Sequence, residues 1–250
     1  MNIKLLSIDI ECSPNIVHVW GLFNQNIGIN QIVKPSETIC FAAKWYGKPD
    51  VIFLAQTDEI SKRKMVHKAW TLLDEADAVL HYNGIKFDIP SLNTEFRKMG
   101  LNPPSPFKQI DLYREVKKNF RLPSYKLDFV LQYFGIGAKV KHEGHELWVK
   151  CLQNDPEAWE KMREYNVGDI LPLERLYDKI RPWIKSHPNM GLYIDTEQPT
   201  CRICGSTNLN KKGFEHTQLS SYQRYKCKGC GANLRGRINK ADRNNLTLGV

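Results

Sequence analysis

Short apolar runs alternate with polar segments along the first part of the chain and predict a sheet. Residues 3–10 form a continuous apolar run typical of a buried strand, and residues 17–23 alternate apolar and polar positions. Two further apolar runs, Thr38 to Tyr46 and Val51 to Ala55, follow at short intervals. The order predicts an antiparallel meander that begins at the first strand.

Helical spacing replaces this alternation after residue 60. Apolar residues recur at three- and four-residue intervals from Ser61 to Ala76, and a short strand is predicted over residues 78–82. Later helices are predicted to begin at Pro90, after an N-cap at Ser124, and at Pro156. A last helical stretch, Leu171 to Ile184, contains Pro172 and Pro182, so we expect it to be kinked or frayed. Strands followed by helices with intervening strands predict an α/β fold with a mixed sheet.

Composition limits the class of protein. The chain has 250 residues and is 42% hydrophobic, which supports one sizeable core and a small additional unit. No apolar run approaches the roughly 18 residues that span a bilayer. Carboxylates interrupt the apolar N-terminal segment after a few residues, which is unlike a cleavable signal. We therefore expect a cytoplasmic protein with no membrane association.

Positive charge is concentrated at the C-terminal end. The net charge is +9; residues 197–250 hold ten Lys or Arg and three Asp or Glu, which gives +7. The other residues hold 26 Lys or Arg and 24 Asp or Glu, which gives +2. A basic segment beside a balanced one indicates a polyanionic partner, although solubility alone also explains such a charge.

Four carboxylates lie in three separated patterns. Asp9 and Glu11 belong to Asp-Ile-Glu on the first strand, Asp88 ends Asn-Gly-Ile-Lys-Phe-Asp, and Tyr165 and Asp169 belong to Tyr-Asn-Val-Gly-Asp. Residues two apart on a strand share a face, and residues four apart on a helix share a side. Each pattern alone is common on protein surfaces. Together they predict a converging acidic cluster, which needs a cation to offset its charge repulsion.

These patterns resemble the three exonuclease motifs of the DEDD superfamily in its Tyr-containing subclass. The closest similarity is to the proofreading exonuclease domain of family B DNA polymerases and to stand-alone ribonuclease H-like relatives, over about residues 3–180. The segment Leu122 to Asp128 also resembles one that those polymerase domains carry. The resemblance implies a ribonuclease H-like fold, a five-stranded mixed sheet flanked by helices. It also implies 3′→5′ removal of nucleotides, most often from single-stranded DNA.

The resemblance also assigns residues to roles. It implies that two Mg²⁺ or Mn²⁺ ions are held by Asp9, Glu11, Asp88 and Asp169, with Asp9 bridging both. Tyr165 is expected to position the attacking water, and Asn83 and Phe87 to contact the terminal nucleotide.

Two further groups of residues each have two interpretations. A basic loop is expected either to hold the phosphate backbone or to be solvated; its residues include Lys139, Lys141 and His142. Asp111 is interpreted as a structural residue or as one that supports the metal ligands.

Two cysteine pairs near the C-terminus predict a second metal site. Cys201 and Cys204 form one Cys-x-x-Cys-Gly turn, and Cys227 and Cys230 form another. Four thiolates on two such turns are typical of a zinc ribbon with one structural Zn²⁺, and disulfides or redox chemistry are the alternative. We therefore predict a catalytic domain over 1–184, a linker over 185–199, and a ribbon with a basic tail over 200–250. The ribbon's cations and aromatic residues favour nucleic-acid binding, and protein docking is the alternative.

The sequence thus predicts a metal-dependent 3′→5′ exonuclease whose ribbon helps to hold nucleic acid. DNA is the expected substrate, RNA-directed relatives share the motifs, and a replication or recombination protein is a candidate partner. The alternatives are a structure-specific DNA or RNA nuclease, and a catalytically idle module that binds nucleic acid or recruits a partner. The idle module is disfavoured because it has no reason to retain the repulsion among four acids.

Overall fold

The computed structural model describes residues 3–138 and 144–241. The chain divides into two compact units, a larger one that spans Lys4–Leu176 and a smaller one that comprises Ile3 and the described chain from Tyr177 onward. Within the described residues, no helix is both long enough and apolar enough to cross a membrane.

The larger unit is built on a five-stranded sheet with the order β5-β4-β1-β6-β7. Its strands are β1 (Leu5–Cys12), β4 (Thr38–Trp45), β5 (Val51–Ala55), β6 (Ala78–His81) and β7 (Lys108–Asp111). β1, β6 and β7 run parallel, whereas β4 and β5 are antiparallel to their neighbours. A separate two-stranded ribbon pairs β2 (Ile16–Val17) with β3 (Ile32–Lys34). The predicted mixed five-stranded sheet is therefore confirmed.

Helices cover both faces of this sheet. They are α1 (Glu59–Glu75), α2 (Asp88–Lys98), α3 (Leu112–Asn119), α4 (Leu127–Tyr133), α5 (His145–Leu152) and α6 (Pro156–Ile180). Leu6, Ile8 and Ile10 of β1 belong to a core cluster with buried residues of α1 and α2. Cys40 of β4 belongs to a second cluster with buried residues of α5 and α6. β1 therefore sends its even-numbered side chains to one helical layer and its odd-numbered side chains to the other.

Several elements differ from what the sequence predicts. The strand predicted over 17–23 is reduced to Ile16–Val17, and Trp20 is fully exposed, because no neighbouring element covers this segment's apolar positions among the described residues. α6 runs without interruption through Pro172 to Ile180, and residues Arg181–Trp183, which include Pro182, follow as a short 3₁₀ turn. β7, α3 and α5 were not predicted, since each is only four to eight residues long.

The smaller unit contains a three-stranded antiparallel sheet with the order β10-β9-β8. Its strands are β8 (Leu209–His216), β9 (Ser221–Cys227) and β10 (Asn233–Asn239). The segment that precedes the sheet packs in the same unit: the Arg202 guanidinium donates to the carbonyl oxygens of Lys185 and His187. His187 is buried and stacks on Tyr177, with ring centroids 5.7 Å apart. The division into 1–184, 185–199 and 200–250 stays a prediction.

Candidate active site and cysteine cluster

The second carboxylate pattern meets the first at the end of β1. β6 pairs with β1 only from Leu5 to Ser7, so the backbone of β1 beyond Ser7 has no ladder partner on that side. Asp88, the first residue of α2, fills the position: its Oδ1 accepts a hydrogen bond of 3.1 Å from the Ile10 N–H. Ile10 separates Asp9 from Glu11 along the strand, so Asp88 contacts the backbone of β1 between these two residues.

A tight turn between β6 and α2 holds Asp88 in this position. Asn83 has a φ of +66°, and a Cβ added to Gly84 would lie 2.4 Å from the His81 Cγ, so a side chain cannot fit there. The Gly84 N–H donates to His81 Nδ1, and burial lowers the pKa of His81, which keeps this nitrogen an acceptor. Oδ1 of Asp111 accepts from the Asn83 N–H at 2.9 Å and also caps α3. Asp111 is thus a structural residue that fixes the turn, as interpreted from the sequence.

The third pattern reaches β1 through Asn166. This residue is fully buried on α6, and its Nδ2 donates to Asp9 Oδ2 at 2.7 Å and to the Asp9 carbonyl oxygen at 3.3 Å. Asp169 is 2% exposed and lies three residues further along α6, so it faces the same side of the helix as Asn166. Tyr165 is partly buried, and its ring packs edge-on against Trp148 with centroids 6.1 Å apart.

A buried ion pair attaches α6 to the sheet next to these residues. Glu174 of α6 pairs with Lys44 of β4, and its other carboxylate oxygen accepts a hydrogen bond of 3.0 Å from Ser7 Oγ of β1. Breaking such a pair leaves an uncompensated buried charge, which costs roughly 3–5 kcal/mol. The pair therefore fixes how far α6 lies along β1, and with it the placement of Asn166 and Asp169.

Neither the hydrogen bond from Asn166 to Asp9 nor the ion pair between Glu174 and Lys44 was identified from the sequence. Asn166 lies inside the third pattern, beside Tyr165, but an Asn on a helix carries no signal of its own. Glu174 and Lys44 are charged residues that sequence reasoning assigns to the surface. Only the placement of α6 against β1 and β4 reveals what these side chains contact.

The local electrostatics favour a bound cation. Burial raises the pKa of Asp88 to about 7, and the nearby charge of Asp111 adds to this. Burial also raises the pKa of Cys40, with the carboxylates of Glu11 and Asp9 contributing further. Both carboxylate oxygens of Asp169 are buried. A divalent cation bound by these hard oxygen donors would offset both the desolvation and the repulsion.

The four acids are spread more widely than the ligands of one ion. Within the described residues, only the four cysteines form a group of at least three ligand atoms all within 4.8 Å of one another. Two ions in one site lie roughly 3.5–4 Å apart, so their ligands span a larger volume than those of a single ion. Among the described residues, no three of these acids place their carboxylate oxygens within 4.8 Å of one another.

The structure describes only some of the residues that were predicted to contact the substrate. Asn83 is partly exposed and Phe87 is exposed, at the turn that leads to Asp88. Lys139, Lys141 and His142 lie outside the described residues. Their predicted contacts with the phosphate backbone therefore stay predictions.

The cysteine cluster has the geometry of a four-thiolate metal site. Cys201 Sγ lies 3.6 Å from Cys230 Sγ, and Cys204 Sγ lies 3.6 Å from Cys227 Sγ. Tetrahedral ligands with metal–sulfur bonds of about 2.3 Å have sulfur atoms about 3.8 Å apart, which is close to these separations. The cysteines are not joined by disulfides. The donor set and spacing therefore fit a Zn²⁺ ion.

The two turns that carry the cysteines have the same backbone form. Gly205 N–H donates to the Cys201 carbonyl oxygen, and Gly231 N–H donates to that of Cys227. Both glycines have positive φ values, +77° and +80°, which explains why each Cys-x-x-Cys pair is followed by Gly. Burial raises the pKa of Cys204 to about 11, so a metal ion is needed to hold this thiol as a thiolate at neutral pH.

Comparisons with known proteins place part of the chain in a family. A family model described as RNase_H superfamily matches residues 33–181, a range that contains Asp88, Tyr165 and Asp169 but begins after Asp9 and Glu11. Among solved structures, the chain is similar to the family B DNA polymerase from the hyperthermophilic archaeon Pyrobaculum calidifontis, with a TM-score of 0.52 and 20% sequence identity. The similarity covers 72% of this chain and 25% of the polymerase chain. No curated protein matches the sequence.

Proposed function

Because the chain belongs to the RNase H superfamily, we propose that it is a metal-dependent 3′→5′ exonuclease that releases nucleotides from single-stranded DNA ends. Membership confirms the predicted ribonuclease H-like fold and supports a nuclease that acts on nucleic acid. The proposal of this particular activity rests on one observation. Asp88 is hydrogen-bonded to β1 between Asp9 and Glu11, and Asn166 joins the helix that carries Asp169 to Asp9.

In the proposed site, Asp9, Glu11, Asp88 and Asp169 would hold two Mg²⁺ or Mn²⁺ ions. When bound, such ions activate a water molecule and stabilise the leaving oxygen of a phosphodiester. The carboxylates must be ionised to act as ligands, and the pKa of about 7 for Asp88 means that proton release accompanies binding near neutral pH.

Other residues of the site would act on water and substrate. Tyr165 would orient the attacking water, because it lies one helical turn before Asp169 on α6. Asn83 and Phe87 would contact the terminal nucleotide, since the turn they occupy leads directly to Asp88. The exposed Phe87 ring can stack on a base.

For the smaller unit, we propose one structural Zn²⁺ held by Cys201, Cys204, Cys227 and Cys230, and a contribution of the ribbon to nucleic-acid binding. A replication or recombination protein is the proposed partner class, and the cytoplasm is the proposed location.

Product analysis tests the proposed activity. With Mg²⁺ or Mn²⁺, the wild-type chain should shorten 5′-labelled linear single-stranded DNA stepwise and leave circular single-stranded DNA intact. Asp88→Asn should abolish the ladder, whereas Glu160→Gln, an exposed acid on α6, should not change it. Cutting of the circular DNA would show that the enzyme is an endonuclease. Faster shortening of RNA than of DNA would show that RNA is the preferred substrate. Equal product ladders from wild type and Asp88→Asn would contradict the assignment of Asp88 to the active site.

Asn166→Ala tests whether the hydrogen bond to Asp9 positions that carboxylate. Because ligands that lose such a partner typically lower metal affinity or activity roughly 10–100-fold, we expect a higher metal concentration for half-maximal activity. Mn²⁺ titrations of nuclease activity measure this change, and Glu160→Gln serves as the control on the same helix. A variant that loses thermal stability but keeps the wild-type metal dependence would show a purely structural role for Asn166.

A further inference from the structure

The three-stranded sheet of the smaller unit has two chemically different faces, which its pairing register defines. In an antiparallel sheet, directly paired residues place their side chains on the same face, and the faces alternate along each strand. Tyr225 pairs with Lys211 and with Leu234, which sets one row. Arg224 pairs with Arg235, which sets a row on the opposite face.

The face that contains Tyr225 is the packing face. Leu209 pairs with Cys227, two residues from Tyr225 on β9, so both lie on this face. Leu209 and Leu234 pack against the small core that contains Cys201 and Cys227. This face is therefore used to build the ribbon around its cysteine cluster.

The opposite face, here called the cationic face, is defined by Tyr222, Arg224, Lys226 and Arg235. The Arg235 guanidinium lies 4.5 Å from the centroid of the Tyr222 ring and 3.0 Å from Glu215, which shows that these side chains share a face. Arg224 and Arg235 are exposed, and Tyr222 and Lys226 are partly exposed. Three cations and one acid leave the face positive, with a stacked Arg–Tyr pair beside Arg224.

We propose that the cationic face binds a single strand of nucleic acid that is a substrate of the proposed exonuclease. The inference rests on the proposed function and specifies which residues of the ribbon make contact. Neighbouring strands lie about 5 Å apart, and the backbone positions of residues two apart on one strand are separated by about 7 Å, so several of these cations can contact one phosphate backbone.

The stacked pair favours nucleic acid over an acidic protein. Bases of every type stack on aromatic rings and on Arg guanidinium planes. Tyr222 and Arg235 together offer such a surface next to cations that neutralise phosphates. An acidic peptide would pair with the cations but would have no planar base to stack on Tyr222 and Arg235.

Binding of fluorescent single-stranded DNA, followed by anisotropy over a range of KCl concentrations, tests the proposal. The full chain with zinc bound is used in an Asp88→Asn background, so that the DNA stays intact. Arg224→Glu is compared with Lys211→Glu, since each replaces an exposed cation by an acid on neighbouring strands, but on opposite faces. Zinc content and circular dichroism confirm that both variants fold.

We expect Arg224→Glu to weaken binding roughly tenfold and to reduce the slope of log affinity against log salt by about 1 or more. Tyr222→Leu should weaken binding several-fold with little change in that slope, because stacking is not ionic. Lys211→Glu should have a clearly smaller effect than Arg224→Glu.

Equal losses for Arg224→Glu and Lys211→Glu would overturn the proposal, because net charge alone would then explain binding. No loss for Arg224→Glu and Tyr222→Leu would overturn it as well. Cleavage of a nitrophenyl nucleotide diester by the wild-type chain tests the larger unit separately. Failure of the exonuclease proposal is thereby distinguished from failure of this one.

Discussion

Asp88→Asn should abolish nuclease activity and, at the same time, raise the thermal stability of the metal-free chain at pH 8. Asn keeps the oxygen that accepts from the Ile10 N–H, so the turn and the start of α2 should persist. It removes a proposed metal ligand, and we expect a loss of roughly a thousandfold because bound cations supply several kcal/mol of transition-state stabilisation.

The gain in stability follows from the sign of the pKa shift. Burial raises the pKa of Asp88 from 3.8 to about 7, so the folded chain holds this proton more tightly than the unfolded chain does. The protonated group contributes its full stability below pH 3.8, and this contribution is lost as the pH rises through about 7. At pH 8, removing the charge should therefore stabilise the metal-free fold by up to a few kcal/mol.

Thermal unfolding of both proteins between pH 5 and pH 8 measures this difference. The advantage of Asp88→Asn should grow with pH, and added Mg²⁺ should reduce or reverse it, because ligand binding stabilises only the wild type. Glu160→Gln, which removes one exposed acid from α6, serves as the control. A variant that is less stable than wild type at every pH would contradict the assignment of Asp88 as a buried, unfavourable charge in the metal-free chain.

Loss of zinc should unfold the ribbon. The small core of this unit consists of Ile203, Ala232, Leu209 and Leu234 around the cysteines, which is too little apolar burial to hold a unit of this size. Structural zinc sites contribute roughly 10–16 kcal/mol at neutral pH, so the folding energy of the ribbon should come mainly from the metal.

Metal analysis and limited proteolysis check this expectation. The reduced chain should contain about one zinc per molecule. Cys227→Ser should lose zinc, and trypsin should then cut after Lys211, Lys212 and Arg224, which the folded sheet protects. Cys12→Ser, outside the cluster, should retain zinc and resist cleavage. A zinc-free wild-type chain with a protected ribbon would contradict the assignment.

Much of the sheet could be predicted from the sequence because its strands are buried on both sides. Seven of the eight residues of β4 are buried, and the strand appears in the sequence as one apolar run. The segment after β1 shows the limit of this reasoning. Its alternating residues, Trp20 and Leu22 among them, are exposed, since alternation predicts a strand only when another element covers the apolar side.

In the candidate site, too, some residues could be predicted from the sequence and others could not. Carboxylates and cysteines could be predicted because their charge and spacing restrict them to few roles. The contacts that position them could not, since Asn166, Glu174 and Lys44 act through pairings that depend on how α6 lies on the sheet. The turn at Gly84 is an intermediate case. Its Asn-Gly pair predicts a turn, but the close approach of His81 that excludes any side chain is visible only in the structure.

The alternation of side chains along β1 restricts how this gene can change in length. Leu6, Ile8 and Ile10 enter one helical layer, while Ser7 and Asp9 contact α6 in the other. An in-frame insertion or deletion of a single codon in this strand would exchange the two sets and bury the acids among apolar side chains. Homologues should therefore differ in length within the exposed segment that contains Trp20 and Leu22, and keep the codon count of β1 constant.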